Sequence, residues 1–165
     1  MIDRHLEKIC SDPKIGRQMI LIAGPRQAGK TTLARHILSK NDSRPLYYNW
    51  DLREIREAYR ADPSFFESAM RSIKTKGRFP WVCFDEIHKM PKWKNILKGL
   101  YDKFEDECRF IITGSARLEW FRRSGDSLAG RYFLFHLNPL SLSEAAGRAH
   151  LEPGPDESAL ELIER

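Results

Sequence analysis

The sequence predicts an α/β fold built on a mainly parallel sheet. Short apolar runs, typical of buried strands, alternate along the chain with segments in which apolar residues recur every three or four positions. The run Met19–Ala23 leads directly into a glycine-rich turn and then into a helical pattern, as expected of a βα unit. The 165 residues fit one domain, and 41% hydrophobic with 31% charged residues is typical of a globular protein.

The apolar runs and the periodic segments define the predicted elements. Strands are expected at 19–23, 46–49, 81–84, 110–112 and 132–137. Helices are expected at 3–10 and 30–40, in two segments between 51 and 73, and at 93–104. Asp51 with Glu54, and Ser141 with Glu144, have the spacing of capping boxes, and Pro63 fits the first turn of a helix.

The end of the chain differs from the rest. Pro153-Gly154-Pro155 interrupts the pattern, and 157–165 begins a helical stretch that simply stops. We therefore expect one domain over 1–150, and we expect 151–165 to be a linker or the start of a C-terminal region absent from this chain.

Composition narrows the possible functions. The longest apolar stretches are far too short to span a membrane, and the N-terminus lacks a signal-peptide core. Three cysteines without a CxxC pair are ordinary for a reduced cytosol, so a cytoplasmic protein is expected. The net charge of +5 invites a nucleic-acid partner, but the only tight basic cluster is 117–131 and no nucleic-acid-reading motif accompanies it.

Aromatic and histidine residues are expected to be structural. The four tryptophans lie mostly beside predicted strands or on an apolar helix stripe, so they are expected to pack in the core rather than to stack on a base. The five histidines show no metal-ligand spacing.

The most informative motif is the run 24–31, which satisfies G-x-x-x-x-G-K-[ST] between a strand and a helix. Gly24 and Gly29 let backbone N–H groups point at phosphate oxygens, and the following helix start adds partial positive charge. Lys30 supplies a point charge for the outer phosphates, and the Thr31 hydroxyl suits a Mg²⁺ shell. We therefore expect a nucleoside triphosphate to bind at Gly24, Pro25, Arg26, Gln27, Ala28, Gly29, Lys30, Thr31 and Thr32.

A second motif is the strand 81–84 ending in Asp85 and Glu86. An Asp at this position typically joins a Mg²⁺ shell, since the metal prefers oxygen ligands. The next carboxylate points beyond the strand and can act as a general base for water. The sequence therefore predicts Thr31 and Asp85 as metal ligands, with Lys30 and Glu86 as catalytic residues.

A third motif is the strand 110–112, which is followed by small polar residues. In ATPases with a catalytic Glu, the strand between those carrying the two motifs ends in a polar residue that contacts water and the terminal phosphate. Thr113 and Ser115 are both candidates for this sensor, and the sequence does not choose between them.

The nucleotide class follows from what else the chain contains. The N-K-x-D tetrapeptide typical of guanine recognition does not occur in the sequence, and no lid or acceptor pocket of a small-molecule kinase is recognisable. The adjacent carboxylates favour ATP hydrolysis over phosphoryl transfer to another substrate, with ATP and Mg²⁺ as ligands.

Taken in order, the motifs resemble those of a known family. They are Gly24–Leu33, Phe84–Trp93, Thr113–Ala116, Ser127–Arg131 and Leu137–Ser141. Together they resemble the AAA-like P-loop ATPase domain of a widespread prokaryotic family that usually carries a C-terminal domain of unknown function. The resemblance covers about 1–150.

The resemblance carries expectations of its own. It implies a three-layer αβα sandwich of the P-loop NTPase kind, with strand order 5-1-4-3-2. It implies a catalytic role for Arg131, which could reach a terminal phosphate in its own chain or in a neighbour, or could simply pair with an acidic surface. It also implies a partner or a C-terminal domain that this chain lacks, so hydrolysis could be slow. His88 stands where the family more often has Gln.

Three functions remain open on the sequence alone. The leading one is an ATP-binding, Mg²⁺-dependent ATPase domain, with ATP and ADP as ligands, that couples nucleotide binding and hydrolysis to an unidentified protein partner or C-terminal domain. The second is a nucleotide-gated binding module with little turnover. The third is a nucleic-acid-associated ATPase that uses the basic cluster 117–131.

Overall fold

The computed structural model describes residues 4–10, 12–73, 79–115 and 128–140, and the elements below lie within these ranges. Five strands form one sheet: β1 (Met19–Ala23), β2 (Tyr47–Asn49), β3 (Trp81–Asp85), β4 (Arg109–Thr113) and β5 (Tyr132–His136). The α-helices are α1 (His5–Cys10), α2 (Lys30–Lys40), α3 (Arg53–Ala61), α4 (Glu67–Ser72) and α5 (Trp93–Phe104). Short 3₁₀ turns cover Pro13–Ile15, Arg44–Leu46 and Ile87–Lys89.

The strands are all parallel and lie in the order β2-β3-β4-β1-β5. This is the expected order 5-1-4-3-2 read from the other edge, so the prediction is confirmed. Register places Thr113 of β4 beside Ile22 of β1 and beside Asp85 of β3. The carboxyl ends of the three central strands therefore meet at one edge of the sheet.

Two apolar clusters cover the two faces of the sheet, which confirms the three-layer architecture. On one face, α1 and α2 pack against alternate residues of the strands, including Ile20, Ile22 and Ile111. On the other, Trp50, Phe66, Phe84, Phe104 and Phe110 are essentially fully buried together with α4 and α5. Parallel strands covered on both faces must be apolar almost throughout, which is why their sequences read as continuous apolar runs.

Two local predictions are wrong. The helix α3 begins after Leu52 without a side-chain cap, so Asp51 and Glu54 form no capping box. Pro63 lies in the turn before α4 and not in its first helical turn, because that helix begins at Glu67. The proposed capping box at Ser141 and the tail 151–165 lie outside the described residues.

Trp50 lies in the core as predicted, and Trp81 and Trp93 are partly buried and pack against the two core clusters. Trp120 lies outside the described residues. None of the described helices has the length and apolar content that a membrane span requires.

Candidate nucleotide-binding site

The turn after β1 has the backbone that the glycine-rich motif predicts. Gly24 has φ 151° and Gly29 has φ 90°, and the non-glycine residue Gln27 also has a positive φ of 63°. A Cβ on Gly24 would lie 2.3 Å from the carbonyl oxygen of Leu137, which follows β5. Glycine is therefore required at position 24 because the loop passes against the backbone of the neighbouring strand.

Within this loop, Arg26 and Gln27 are exposed, Ala28 is buried, and Thr32 is exposed in the first turn of α2. Lys30, the first residue of α2, is only 8% exposed. Its Nζ donates to the carbonyl oxygens of Gly24 at 2.9 Å and Pro25 at 2.6 Å. The ammonium group is thus held in the mouth of the loop.

The Asp85 carboxylate, 4% exposed, accepts three hydroxyl groups. Thr31 Oγ1 donates to its Oδ2 over 2.9 Å, Tyr47 donates to the same oxygen, and Thr113 donates to Oδ1. Hydrogen bonds of this kind stabilise a buried carboxylate that would otherwise be costly to bury. Asp85 and Thr31, predicted from separate motifs, are therefore in direct contact.

Tyr47 is a residue that the sequence analysis missed. Burial raises the pKa of its hydroxyl, and the hydrogen bond to Asp85 raises it further. The hydroxyl therefore stays protonated at neutral pH and remains a donor to Asp85. The position of Tyr47 in β2, next to β3, decides this contact, and the residue carries no motif of its own.

Glu86 follows β3 with φ 61°, an uncommon conformation for a residue with a side chain. Its backbone N–H donates to the Thr113 carbonyl over 2.9 Å, which helps to hold this conformation. Its Oε2 lies 3.5 Å from His88 Nε2 and 3.8 Å from Lys89 Nζ. The side chain lines a cleft and is 23% exposed.

That cleft has a volume of about 880 Å³ and is lined by Arg26, Lys30, Asp51, Glu86, His88, Lys89, Trp93 and Ser115. Its walls carry both positive and negative groups, and Asp51 pairs with Lys89 across it. The cleft therefore joins the phosphate loop to the carboxylate-bearing end of β3.

The two sensor candidates have different surroundings. Thr113 is fully buried and its hydroxyl is used by Asp85. Ser115 lines the cleft, with its Oγ 3.4 Å from His88 Nε2. The structure therefore gives Ser115, and not Thr113, access to anything bound in the cleft.

Arg131 lies elsewhere. It precedes β5, and its carbonyl accepts from the N–H of Met19 at the start of β1, so it lies at the amino edge of the sheet. Its Nε donates to Asp102 of α5 over 2.8 Å. A five-residue strand separates the two edges by about 15 Å, so the structure does not bring Arg131 to the phosphate loop of its own chain.

The basic cluster 117–131, proposed for nucleic acid, lies mostly outside the described residues. Arg131 at its end is paired with Asp102, as the surface-pairing alternative expects.

The donor set suits Mg²⁺. Thr31 and Asp85 offer hard oxygen atoms in direct contact, and Mg²⁺ usually binds through one or two such groups together with substrate phosphates. Within the ranges that the structure describes, no group of three or more His, Cys, Asp or Glu side chains is arranged to hold a metal ion.

Taken together, the fold and this edge of the sheet define a nucleotide-binding domain of the ATPase type. The chain belongs to the AAA-domain family, whose model matches residues 16–146. This confirms the resemblance found in the sequence.

Two curated relatives match this chain over part of their own length. Uncharacterized proteins of Mycobacterium bovis and Mycobacterium tuberculosis are each 34% identical to this chain over 141 residues. The match covers 82% of this chain but 29% of each relative, so the chain spans less than a third of the length of these curated relatives.

Among solved structures, that of C. elegans PCH-2 has a TM-score of 0.52 with 16% sequence identity. The match covers 82% of this chain and 40% of that chain. At this identity the likeness shows the fold alone.

Proposed function

We propose that this domain binds Mg²⁺ and ATP in the cleft beside the phosphate loop and hydrolyses ATP to ADP. The observation that carries the proposal is the direct contact of Thr31 with Asp85, beside Lys30 and Glu86, at one edge of the sheet. Strand order and register bring residues of these two separate motifs together at the mouth of the glycine-rich loop.

Each residue has a role that its surroundings support. The loop N–H groups and Lys30 hold the phosphates, with Lys30 exchanging its loop carbonyls for phosphate oxygens. Thr31 and Asp85 would hold Mg²⁺, which supplies positive charge to the phosphate oxygens when bound. Glu86 orients a water and accepts its proton. Most of the rate enhancement would come from positioning and charge stabilisation.

A second cleft supports a place for the nucleoside. It has a volume of about 320 Å³ and is formed by α1 and the segment after β5, with Leu6, Ile9, Phe135, Leu137 and Pro139 among its lining residues. Arg4 Nη1 donates to the Ala28 carbonyl over 3.1 Å, so this cleft adjoins the phosphate loop. We infer that the base packs on these apolar side chains.

Ile9→Asp should then weaken ATP binding while leaving inorganic triphosphate binding unchanged. Phe79→Asp is the matched control, since Phe79 is 45% exposed and does not line either cleft. If the Ile9 variant loses affinity equally for ATP and for inorganic triphosphate, the base does not bind in this cleft.

Two variants test the main proposal. Lys30→Ala should weaken ATP binding by about 10–100-fold, the range expected for lost hydrogen bonds to a charged group, measured by calorimetry. Glu86→Gln should retain ATP binding and lower single-turnover hydrolysis by about 10²–10⁴-fold. An Lys30→Ala protein that binds ATP as well as the wild type would contradict the assignment of the site.

Measurements of ATP binding and of single-turnover hydrolysis also distinguish an ATPase from a nucleotide-gated binding module with little turnover. Lys30 and Thr31 both hydrogen-bond to protein groups, so bound phosphates and metal must displace these side-chain contacts, and this change at the site is expected for the enzyme as well as for the module. Wild-type protein that binds ATP without releasing phosphate supports the module, and phosphate release abolished in Glu86→Gln supports the enzyme.

The process that ATP hydrolysis drives is a property of the whole protein, and it is therefore proposed separately. We propose that the domain transmits its nucleotide state to a protein partner or to a C-terminal domain, and that Arg131, at the opposite edge of the sheet from the phosphate loop, acts on a neighbouring molecule. A nucleic-acid partner would be supported by DNA- or RNA-stimulated hydrolysis with a steep salt dependence.

A further inference from the structure

The backbone of Glu86 does not by itself fix the position of its carboxylate. The positive φ of 61° and the N–H bond to Thr113 fix where the side chain starts, but not where its carboxylate ends. A general base must be held within hydrogen-bond reach of the proton it accepts, because small displacements reduce the rate sharply.

Two cationic or donor groups lie near that carboxylate, and they differ in burial. Lys89 Nζ is 3.8 Å away, but its side chain is 46% exposed and also pairs with Asp51. His88 Nε2 is 3.5 Å away, and its side chain is only 9% exposed. An exposed and shared ammonium positions a carboxylate weakly, whereas a buried imidazole has little freedom to move away.

The same His88 nitrogen also contacts the end of β4. Ser115 Oγ lies 3.4 Å from Nε2, so one atom lies within reach of both the sensor candidate and the base. A neutral imidazole nitrogen either carries one hydrogen or accepts one. Nε2 therefore accepts from Ser115, or donates to a single partner that is either Ser115 or Glu86.

We propose that His88 is a positioning residue that links Ser115 to Glu86. In the free site the His88 Nε2–H donates to the Ser115 hydroxyl oxygen. When Ser115 turns its hydroxyl to a terminal phosphate, that oxygen leaves the His88 Nε2–H, which then donates to Glu86, and no proton changes its nitrogen. In this way, binding of the terminal phosphate orients the carboxylate of Glu86, the general base. The inference rests on the proposed function, since it concerns the same hydrolysis.

The test compares His88→Ala, His88→Gln, Ser115→Ala and the double variant His88→Ala/Ser115→Ala with the wild type, using ATP and Mg²⁺. Lys98→Ala, on the exposed side of α5, is the control. Steady-state kcat and KM are measured alongside the dissociation constant for ATP and a thermal melt of each protein.

We expect His88→Ala to lower kcat about tenfold or more, the effect of one hydrogen bond to a charged group, with KM and ATP affinity unchanged. The Gln variant should recover most of kcat, because its amide both donates and accepts at a similar reach. The double variant should be no slower than the slower single variant, because the two residues act in one chain of contacts.

Several results would overturn the inference. They are a His88→Ala enzyme as fast as the wild type, a Gln variant no better than Ala, or effects of His88 and Ser115 that multiply. If His88→Ala fails to fold, Ser115→Ala decides the matter, because a Ser115→Ala enzyme as fast as the wild type overturns the inference. Wild-type protein that binds ATP but never hydrolyses it overturns the proposed enzyme as well, which distinguishes the two failures.

Discussion

Gly24→Ala tests the physical requirement on which the phosphate loop depends. A Cβ at this position would lie 2.3 Å from the Leu137 carbonyl oxygen and 3.2 Å from its carbonyl carbon. That backbone cannot easily move, because the Leu137 N–H donates to the Ala23 carbonyl over 2.8 Å as part of the β1–β5 pairing. The φ of 151° adds strain for any side chain.

The expected loss is the sum of two effects. Overpacking against backbone costs about 1–3 kcal/mol, and a positive φ in a residue with a Cβ costs about 1–2 kcal/mol. The free energy of unfolding should therefore fall by about 2–5 kcal/mol, which corresponds to a melting temperature lower by roughly 10 °C in a domain of this size. ATP binding should be lost together with the loop conformation.

Two other glycines provide matched controls, measured by urea unfolding and by calorimetry with ATP. Gly130 has φ 76°, and nothing lies within 4 Å of the position that a Cβ would take. Gly130→Ala should therefore lose only the stability that the backbone strain costs, about 1–2 kcal/mol. Gly99 lies within α5 with nothing within 4 Å, so Gly99→Ala should gain about 0.5–1 kcal/mol from helix propensity. If Gly24→Ala were as stable as Gly99→Ala, the close approach of Leu137 would be refuted.

The remaining predictions concern the carboxylate site, the sheet edge and the buried acids. Thr113→Val should destabilise the domain by about 1–3 kcal/mol in urea, because it removes a buried donor to Asp85, and unchanged stability would show that Asp85 does not depend on it. Arg131→Ala should leave the ATP dissociation constant of the isolated domain unchanged, because its guanidinium pairs with Asp102 at the other edge of the sheet, and weakened binding would place Arg131 at the site after all. Burial raises the pKa of Cys10 and of Cys108 from an ordinary value of 9.0 to about 12. The unfolded chain therefore releases these protons first, so stability should be intact below pH 9 and fall progressively between pH 9 and 12. Replacing both thiols with Ala should make that fall shallower in a urea titration, with the remaining part due to Cys83, whose pKa is also raised by burial.

The sequence predicted most of what lies along the chain. The bounds of β1, α2 and α5 follow from apolar periodicity and from the position of the glycine-rich turn, because burial on one or both faces of an element leaves a local pattern. The capping prediction at Asp51 was wrong because a polar residue near a helix start has other partners available. In the folded domain it pairs with Lys89.

The candidate site was only partly predictable. Motifs identified Lys30, Thr31, Asp85 and Glu86, because glycine-rich loops and adjacent carboxylates after a strand have recognisable residue spacings. They did not identify Tyr47, whose role depends on the pairing of β2 with β3.

The amino-acid sequence by itself determined the elements, the parallel character of the sheet and the chemistry offered to a nucleotide. Tertiary structure alone decided which hydroxyls reach Asp85, that Ser115 and not Thr113 faces the cleft, and that Arg131 lies on the opposite edge from the phosphate loop. The physical reason is the sequence distance over which each effect acts. Backbone propensity and periodicity depend on only a few neighbouring residues. A contact between ends of different strands is set by strand order and register, which many distant side chains fix together.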